Sequence, residues 1–328
     1  MIEGNLRRLV GVTAVAMGAF GCGSDDASQE SGCASDVVVG KPGGVQSAPT
    51  DVIAFVSDRD GNPEIYSVRS DGSNLTRLTQ SPTYEVLPAW SPDATRIAFV
   101  SLSEPSLESK GSLMVMNADG TELTEVTSDE RGTPFTWSPE GHRIAYAGSD
   151  DDIHVIDLAD GRDENLTNAP GSDDWPTWSP DGDRIVFTST RGGPAQLWVM
   201  HADGTEPARL TAGQGEEASW SPRGDRIAFA STRNGNPSSS DVREWNEEIY
   251  VMDADGANVR RLTTLPGNDH WPPTWSPDGN NIAFTSDGCS DNWEIYTMKA
   301  DGSALANITD HPGRDAFPTW RPSPPRSP

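Results

Sequence analysis

The sequence predicts an all-β protein, a six-bladed β-propeller with four-stranded antiparallel blades, closed by pairing of the C-terminal strand with the N-terminal blade. Three observations predict it. A phrase of the Trp-Ser-Pro-x-Gly type recurs at Trp90, Trp137, Trp178, Trp220 and Trp275 and, shortened, at Trp320, with spacings of 47, 41, 42, 55 and 45 residues. Three further phrases recur in step with it. Asp-Gly pairs and prolines separate the phrases, where tight turns need positive φ or a fixed φ.

Each phrase supplies one strand. The tryptophan phrase is the first. The second is Ile-Ala/Val-aromatic, beginning at Ile53, Ile97, Ile144, Ile185, Ile227 and Ile282. The third runs into a turn: "EIYSVRSDG", "LMVMNADG", "IHVIDLADG", "LWVMHADG", "IYVMDADG" and "EIYTMKADG". The fourth is apolar-Thr, ending at Thr79, Thr127, Thr167, Thr211, Thr263 and Thr309. Four short strands per period of roughly 40–45 residues are the mark of a propeller. The chain enters this pattern at a second strand, Ile53, and leaves it on a solitary first strand around Trp320. Those two ends therefore complete one blade.

Outside the repeat the chain reads differently. Arg7 and Arg8 precede a short apolar run, Leu9 to Gly21, which has the form of a secretory signal over residues 1–21. The following Ala-Phe-Gly-Cys resembles a bacterial lipoprotein signal, and that resemblance implies lipidation of Cys22. Gly23 after that cysteine favours the outer membrane. Residues 22–50, rich in Ser, Gly and Asp, are expected to be a flexible tether. The propeller is expected over 51–322 and a disordered tail over 323–328. Cys33 and Cys289 are a candidate disulfide in an oxidising compartment, the alternative being two thiols.

Charge narrows the partner. With 24 basic against 50 acidic residues the formal net charge is −26, a surface that repels nucleic acid and anionic lipid. A basic partner or a cation suits it. The membrane is expected to be met only through the lipid, and the protein to be a monomer.

The loops before each tryptophan phrase should gather at one mouth of the central channel. They carry Tyr84 and Glu85, Asp173, Asp174 and Trp175, Glu216, Asp269, His270 and Trp271, and Asp315 and Phe317. A ring of carboxylates with aromatics fits a basic peptide, a sugar or a cation. One unit is longer, with "STRNGNPSSSDVREWNEE" inserted before Ile249, and its Arg243 and Trp245 are candidates to overhang the same mouth. No catalytic motif of the nucleophile-elbow, zincin, phosphate-loop or Cys-x-x-Cys type is present. No cofactor is expected. Asp58, Asp60, Asn62 and Glu64 alternate as in a calcium loop, but the remaining ligands and the length of such a loop are absent, so a plain hairpin turn is expected, with a calcium site as the alternative.

The unit Pro-x-Trp-Ser-Pro-Asp-Gly … Ile-Ala-Phe … Ala-Asp-Gly … Arg-Leu-Thr resembles the TolB-type propeller repeat, a relative of the WD repeat. The resemblance implies a non-catalytic envelope protein that binds a protein or peptide partner at the mouth. The alternative is a carbohydrate-active propeller using Asp173 and Asp269, or a carbohydrate- or metal-binding one.

Overall fold

Ile185, Val186 and Phe187 are consecutive and each is 0% exposed. A strand buried on both faces explains this, because blades of a propeller pack face to face and leave no solvent side to their inner strands. The same continuous burial holds at Ile53–Phe55, Ile227–Phe229 and Ile282–Phe284. In a computed structural model, described here for residues 38–39, 52–104, 106, 109–131, 134–233, 247–265, 269–288 and 292–323, these segments are the second strands of six antiparallel sheets.

The sheets follow the predicted count. Blade 4 is typical, with strands Asp173–Trp178, Arg184–Ser189, Gln196–His201 and Ala208–Arg209 in that spatial order. Blades 2, 3, 5 and 6 open on the inner strands Tyr84–Trp90, Phe135–Trp137, Glu216–Trp220 and Asp269–Trp275. Blade 1 is closed as expected. Its inner strand is Asp315–Trp320, antiparallel to Val52–Ser57, with Ile53 opposite Trp320 and Ala54 opposite Thr319. Arg321 N–H then donates to Val52 O at 2.8 Å. Val38–Val39, within the segment expected as tether, adds a parallel strand to the outer edge of blade 6 at Ala306–Asn307. No helix occurs among the described residues.

The repeated residues now have physical roles. The serine of Trp-Ser-Pro-Asp-Gly accepts the returning backbone N–H of Arg96, Arg184, Arg226 or Asn281 at 2.9–3.0 Å, and the turn aspartate accepts the serine hydroxyl. Those bonds hold the Asp93, Asp181 and Asp278 carboxyls below their usual range, although burial opposes this at Asp93 and Asp278. Gly182 has φ +78°, a conformation that L side chains rarely adopt. The threonine of the fourth phrase caps the third strand. Thr79, Thr167, Thr211, Thr263 and Thr309 Oγ1 accept the N–H of Ile65, Ile153, Leu197, Ile249 and Ile295 at 2.8–3.1 Å. This bond does the work of a ladder bond where the outer strand has ended, so most outer strands need only two or three residues.

Blades are stapled by cations over indoles. Arg96 lies over Trp137 of the next blade at 5.0 Å, Arg143 over Trp178 at 4.9 Å, Arg184 over Trp220 at 4.9 Å and Arg226 over Trp275 at 4.8 Å. Blade 1 has Val52 in that place. Arg321, just past Trp320, covers Trp90 instead at 5.3 Å. Each such pair contributes about 0.5–1 kcal/mol.

One blade departs from the pattern at a buried acid. Glu64 and Glu248 begin the third strands of blades 1 and 5, and each meets an outer-strand arginine, Arg77 at 3.0 Å and Arg261. Blade 6 has Asn307 in the register of those arginines. Glu294 therefore has the Thr309 hydroxyl, the His311 N–H and the Asn292 amide as donors in place of an arginine. Burial first, and then the charge of Asp315, push its carboxyl up to about 7 against those bonds. A raised folded-state pKa favours the protonated native protein, so this stability is present below about pH 4.5 and is lost as pH rises through about 7. Glu294→Gln is expected to gain on wild type by about 1–2 kcal/mol between pH 5 and pH 8, roughly half the full linkage value because solvent screens part of it. Thermal melts at the two pH values check this. The readout is the change of the gap with pH, and a constant gap contradicts the assignment.

Candidate docking mouth and axial cluster

The inner strands do not run straight. Leu87, Trp175, Glu217, Trp271 and Phe317 have φ of +55°, +51°, +55°, +60° and +54°. Each stands where the pairing with the second strand slips, as between Asp174 and Thr177 or between Glu216 and Ser219. These are β-bulges. Proline follows four of them, at Pro88, Pro176, Pro272 and Pro318, where the interrupted ladder needs no N–H donor. A left-handed non-glycine residue costs about 1–2 kcal/mol, so the repetition points to a purpose for the bulge.

The purpose is to turn a side chain to the axis. Leu87, Trp175, Trp271 and Phe317 belong to one buried cluster, with Phe135 and Tyr84 packed against it. These four come from blades 2, 4, 6 and 1. Blade 4 packs against blades 3 and 5 only, so the cluster is joined across the centre of the ring. Trp271 meets Phe317 with ring centroids 4.3 Å apart and Trp293 edge-on at 4.5 Å.

The acids predicted for the rim divide into two groups. Asp173 and Asp315 lie at the first position of their strands and are almost wholly buried. Asp315 takes both its oxygens to Arg59 Nη2 at 2.8–2.9 Å, and Asp173 binds Arg191 and the Ser189 hydroxyl. Both arginines come from a Ser-x-Arg hook at the end of the second strand, each with Nε on its own serine, Ser57 or Ser189. These two carboxylates are committed inside the protein. Burial raises the Asp315 carboxyl, with Arg59 pulling the other way. Glu85 is buried as well, its Oε1 accepting from Thr83 and Ser101 while Oε2 has no partner, and burial raises its carboxyl.

Asp174, Glu216 and Tyr84 are half-buried and lie in the first two positions of their inner strands. Asp174 Oδ1 accepts the N–H of Trp175 at 2.8 Å, which fixes the bulge. Asp269 and His270 lie in the inner strand of blade 6, opposite Ser286 and Thr285. Arg243, Trp245, Cys22, Cys33 and Cys289 lie outside the described residues. The groups of the calcium-like turn are tied into protein hydrogen bonds: Asp58 accepts the Arg314 N–H, Asp60 the Tyr66 hydroxyl, Asn62 donates to the carbonyls of Ser81 and Thr83, and Arg77 bridges Asp60 and Glu64.

Glu217 was not selected from the sequence. It occupies the bulge of blade 5, and Oε2 is buried without a hydrogen-bond partner. Burial raises its carboxyl well above the usual range, and the charges of Glu247, Glu216 and Asp174 add to the effect. Counting back three residues from Trp90, Trp178, Trp220 and Trp320 aligns Leu87, Trp175, Glu217 and Phe317, and that column would have found it.

Comparison with known proteins accords with this geometry. The family model described as the TolB β-propeller domain matches residues 94–239. The chain carries a TolB-like β-propeller. A protein TolB homolog of Chlorobium luteolum is 31% identical over 151 residues, covering 45% of this chain and 34% of that protein. An uncharacterized protein of Agrobacterium fabrum is 32% identical over 158 residues, covering 45% of this chain and 52% of the other. The chain thus spans about half or less of the curated relatives it matches. The crystal structure of TolB from Acinetobacter baumannii superposes with a TM-score of 0.71 at 23% identity, covering 83% of this chain and 67% of that one. That likeness is one of fold. The TolB-like propeller described here shares the architecture, and its axial cluster is built from its own residues.

Proposed function

We propose that this TolB-like propeller is a non-catalytic docking module of the bacterial envelope, tethered through a lipid on Cys22. It takes a protein or peptide partner at the mouth bearing Tyr84, Asp174 and Glu216. The carrying observation is the axial cluster. Apolar side chains from four blades close the centre of the ring, and half-buried acids stand around them. An apolar centre with a charged rim is the anatomy of a protein-binding patch. The formal charge of −26 favours a basic partner and fast, salt-dependent association. The likeness to TolB homologues supports an envelope setting and a protein partner.

The test is photocrosslinking from position 84 in cells, followed by identification of the attached species. The double variant Asp174→Asn/Glu216→Gln is expected to weaken capture roughly tenfold, mainly through slower association at low salt. Both substituted side chains are half-buried, so the fold should survive. Capture that is equal in the variant would move the docking surface away from this mouth.

A further inference from the structure

Four of the five bulge residues are apolar, and the exception is a carboxylate. Glu217 is equivalent to the others by backbone. Its N–H donates to Thr188 Oγ1 of the preceding blade at 3.2 Å, just as that of Phe317 donates to Thr285 Oγ1 at 3.1 Å. The side chain is 7% exposed and Oε2 has no hydrogen-bond partner among the described residues. A buried carboxylate without a counter-charge is costly, and native proteins seldom keep one idle.

Blade 5 also withholds the internal cation that blades 1 and 4 supply. Its Ser-x-Arg hook is present, with Arg233 Nε on Ser231. The acid that would receive it is replaced by Gly215, and the guanidinium turns to Gln214 O, over the rings of Phe229 and Tyr250. The acid of this strand stands two residues further along, at the bulge position. Among the described residues the charges that act on it, Glu216, Glu247 and Asp174, are all negative, and all three side chains are half-buried. The same bulge of the two flanking blades carries Trp175 and Trp271.

We infer that the axial cluster receives a primary ammonium group, held by the Glu217 carboxylate and the indole faces of Trp175 and Trp271. Indole faces attract cations, most strongly where water is excluded. A guanidinium would want two parallel acceptors, and here a single buried oxygen is unpartnered. A divalent metal needs several ligands, and among the described residues no three such side chains gather to hold one. A lysine side chain and a small free amine both present this group, and the test separates them. The inference rests on the docking reading in placing its ligand at the same mouth.

The probes are n-butylammonium chloride and its neutral near-isostere 1-butanol, and a capped glycyl-lysyl-glycine peptide with its Nζ-acetylated form. Tryptophan fluorescence and melting temperature are read during titration of the whole protein. Both amines are expected to give saturable changes below about 50 mM, and the neutral partners none. Glu217→Gln should weaken amine binding at least tenfold while keeping a cooperative melt, and Glu216→Gln by less than about threefold. A tighter peptide assigns the ammonium to a chain, and a tighter butylammonium to a free amine. Equal binding to Glu217→Gln, equal binding of the neutral compounds, or no response in wild type overturns the inference. Partner capture at position 84 without amine binding overturns it alone and leaves docking standing. Amine binding without any captured partner overturns docking alone.

Discussion

A chain ending at Asp310 is expected to lose its cooperative thermal transition. That cut removes the strand Asp315–Trp320, which is the inner strand of blade 1. Trp320 packs with Ile53, Phe55, Tyr66 and Val68 of its own blade and with Ala283 and Ile295 of blade 6. Burying a tryptophan removes about 150–250 Å² from water, or roughly 4–6 kcal/mol as an upper figure. Phe317 adds roughly 1.5–3 kcal/mol. The cut also strands Arg59 without Asp315 and removes Arg321 from the Trp90 ring. The total is comparable with the whole stability of an ordinary domain, about 5–15 kcal/mol. Circular dichroism melts and limited proteolysis report the outcome. A truncated chain that melts within about 5 °C of the intact one would mean that blade 1 does not need its closing strand.

Trp178→Ala is expected to destabilise the protein by about 3–5 kcal/mol. The side chain is 5% exposed and fills the seam between two blades, among Ala145, Ile153 and Val155 on one side and Ile185, Phe187 and Met200 on the other. None of these neighbours can follow a receding side chain, because each belongs to a strand fixed on both faces. Arg143 loses the ring it lies over at 4.9 Å, which adds up to about 1 kcal/mol. At about 2–4 °C per kcal/mol for a domain of this size, the melting temperature should fall by roughly 10 °C. Trp178→Phe should recover about half of the loss, since it restores most of the volume. Denaturant unfolding with an unchanged m-value and a lower midpoint would assign the effect to the native state.

The blades were legible in the sequence because each is a local unit with its own turn chemistry. Ser-Pro-Asp-Gly, Ala-Asp-Gly and Leu-Thr each act within one hairpin, so their recurrence counts blades directly. Closure was legible too, from the unpaired second strand at Ile53 and the unpaired first strand at Trp320. The mouth was harder to read for a geometric reason. Alternation along a strand assigns faces only while the register holds, and the inner strands of blades 1, 2, 4, 5 and 6 slip by at least one residue at their bulges. At the slip in blade 5 it is Glu217 that is buried while the neighbouring Glu216 is half-buried. Charge alone also misleads at Asp173 and Asp315. Their arginines arrive from a different strand, and Arg59 is 256 positions away from Asp315 in the chain. The inserted segment that carries Arg243 and Trp245 adds no test of its expected position.

The brevity of the outer strands bears on how this protein avoids its own kind. A sheet edge is a template that another chain can extend, and a propeller exposes six of them around its circumference. Blades 1, 4 and 5 end in strands of two residues, Thr76–Arg77, Ala208–Arg209 and Arg260–Arg261, which offer an incoming chain only a short ladder. Blade 6 is covered at its rim by Val38–Val39. Blade 2 alone ends in a long strand, Thr124–Arg131, and there the pairing slips twice against Lys110–Asn117. Those irregularities, with Glu125 on the outside, spoil the one rim on which fibril-like growth could begin.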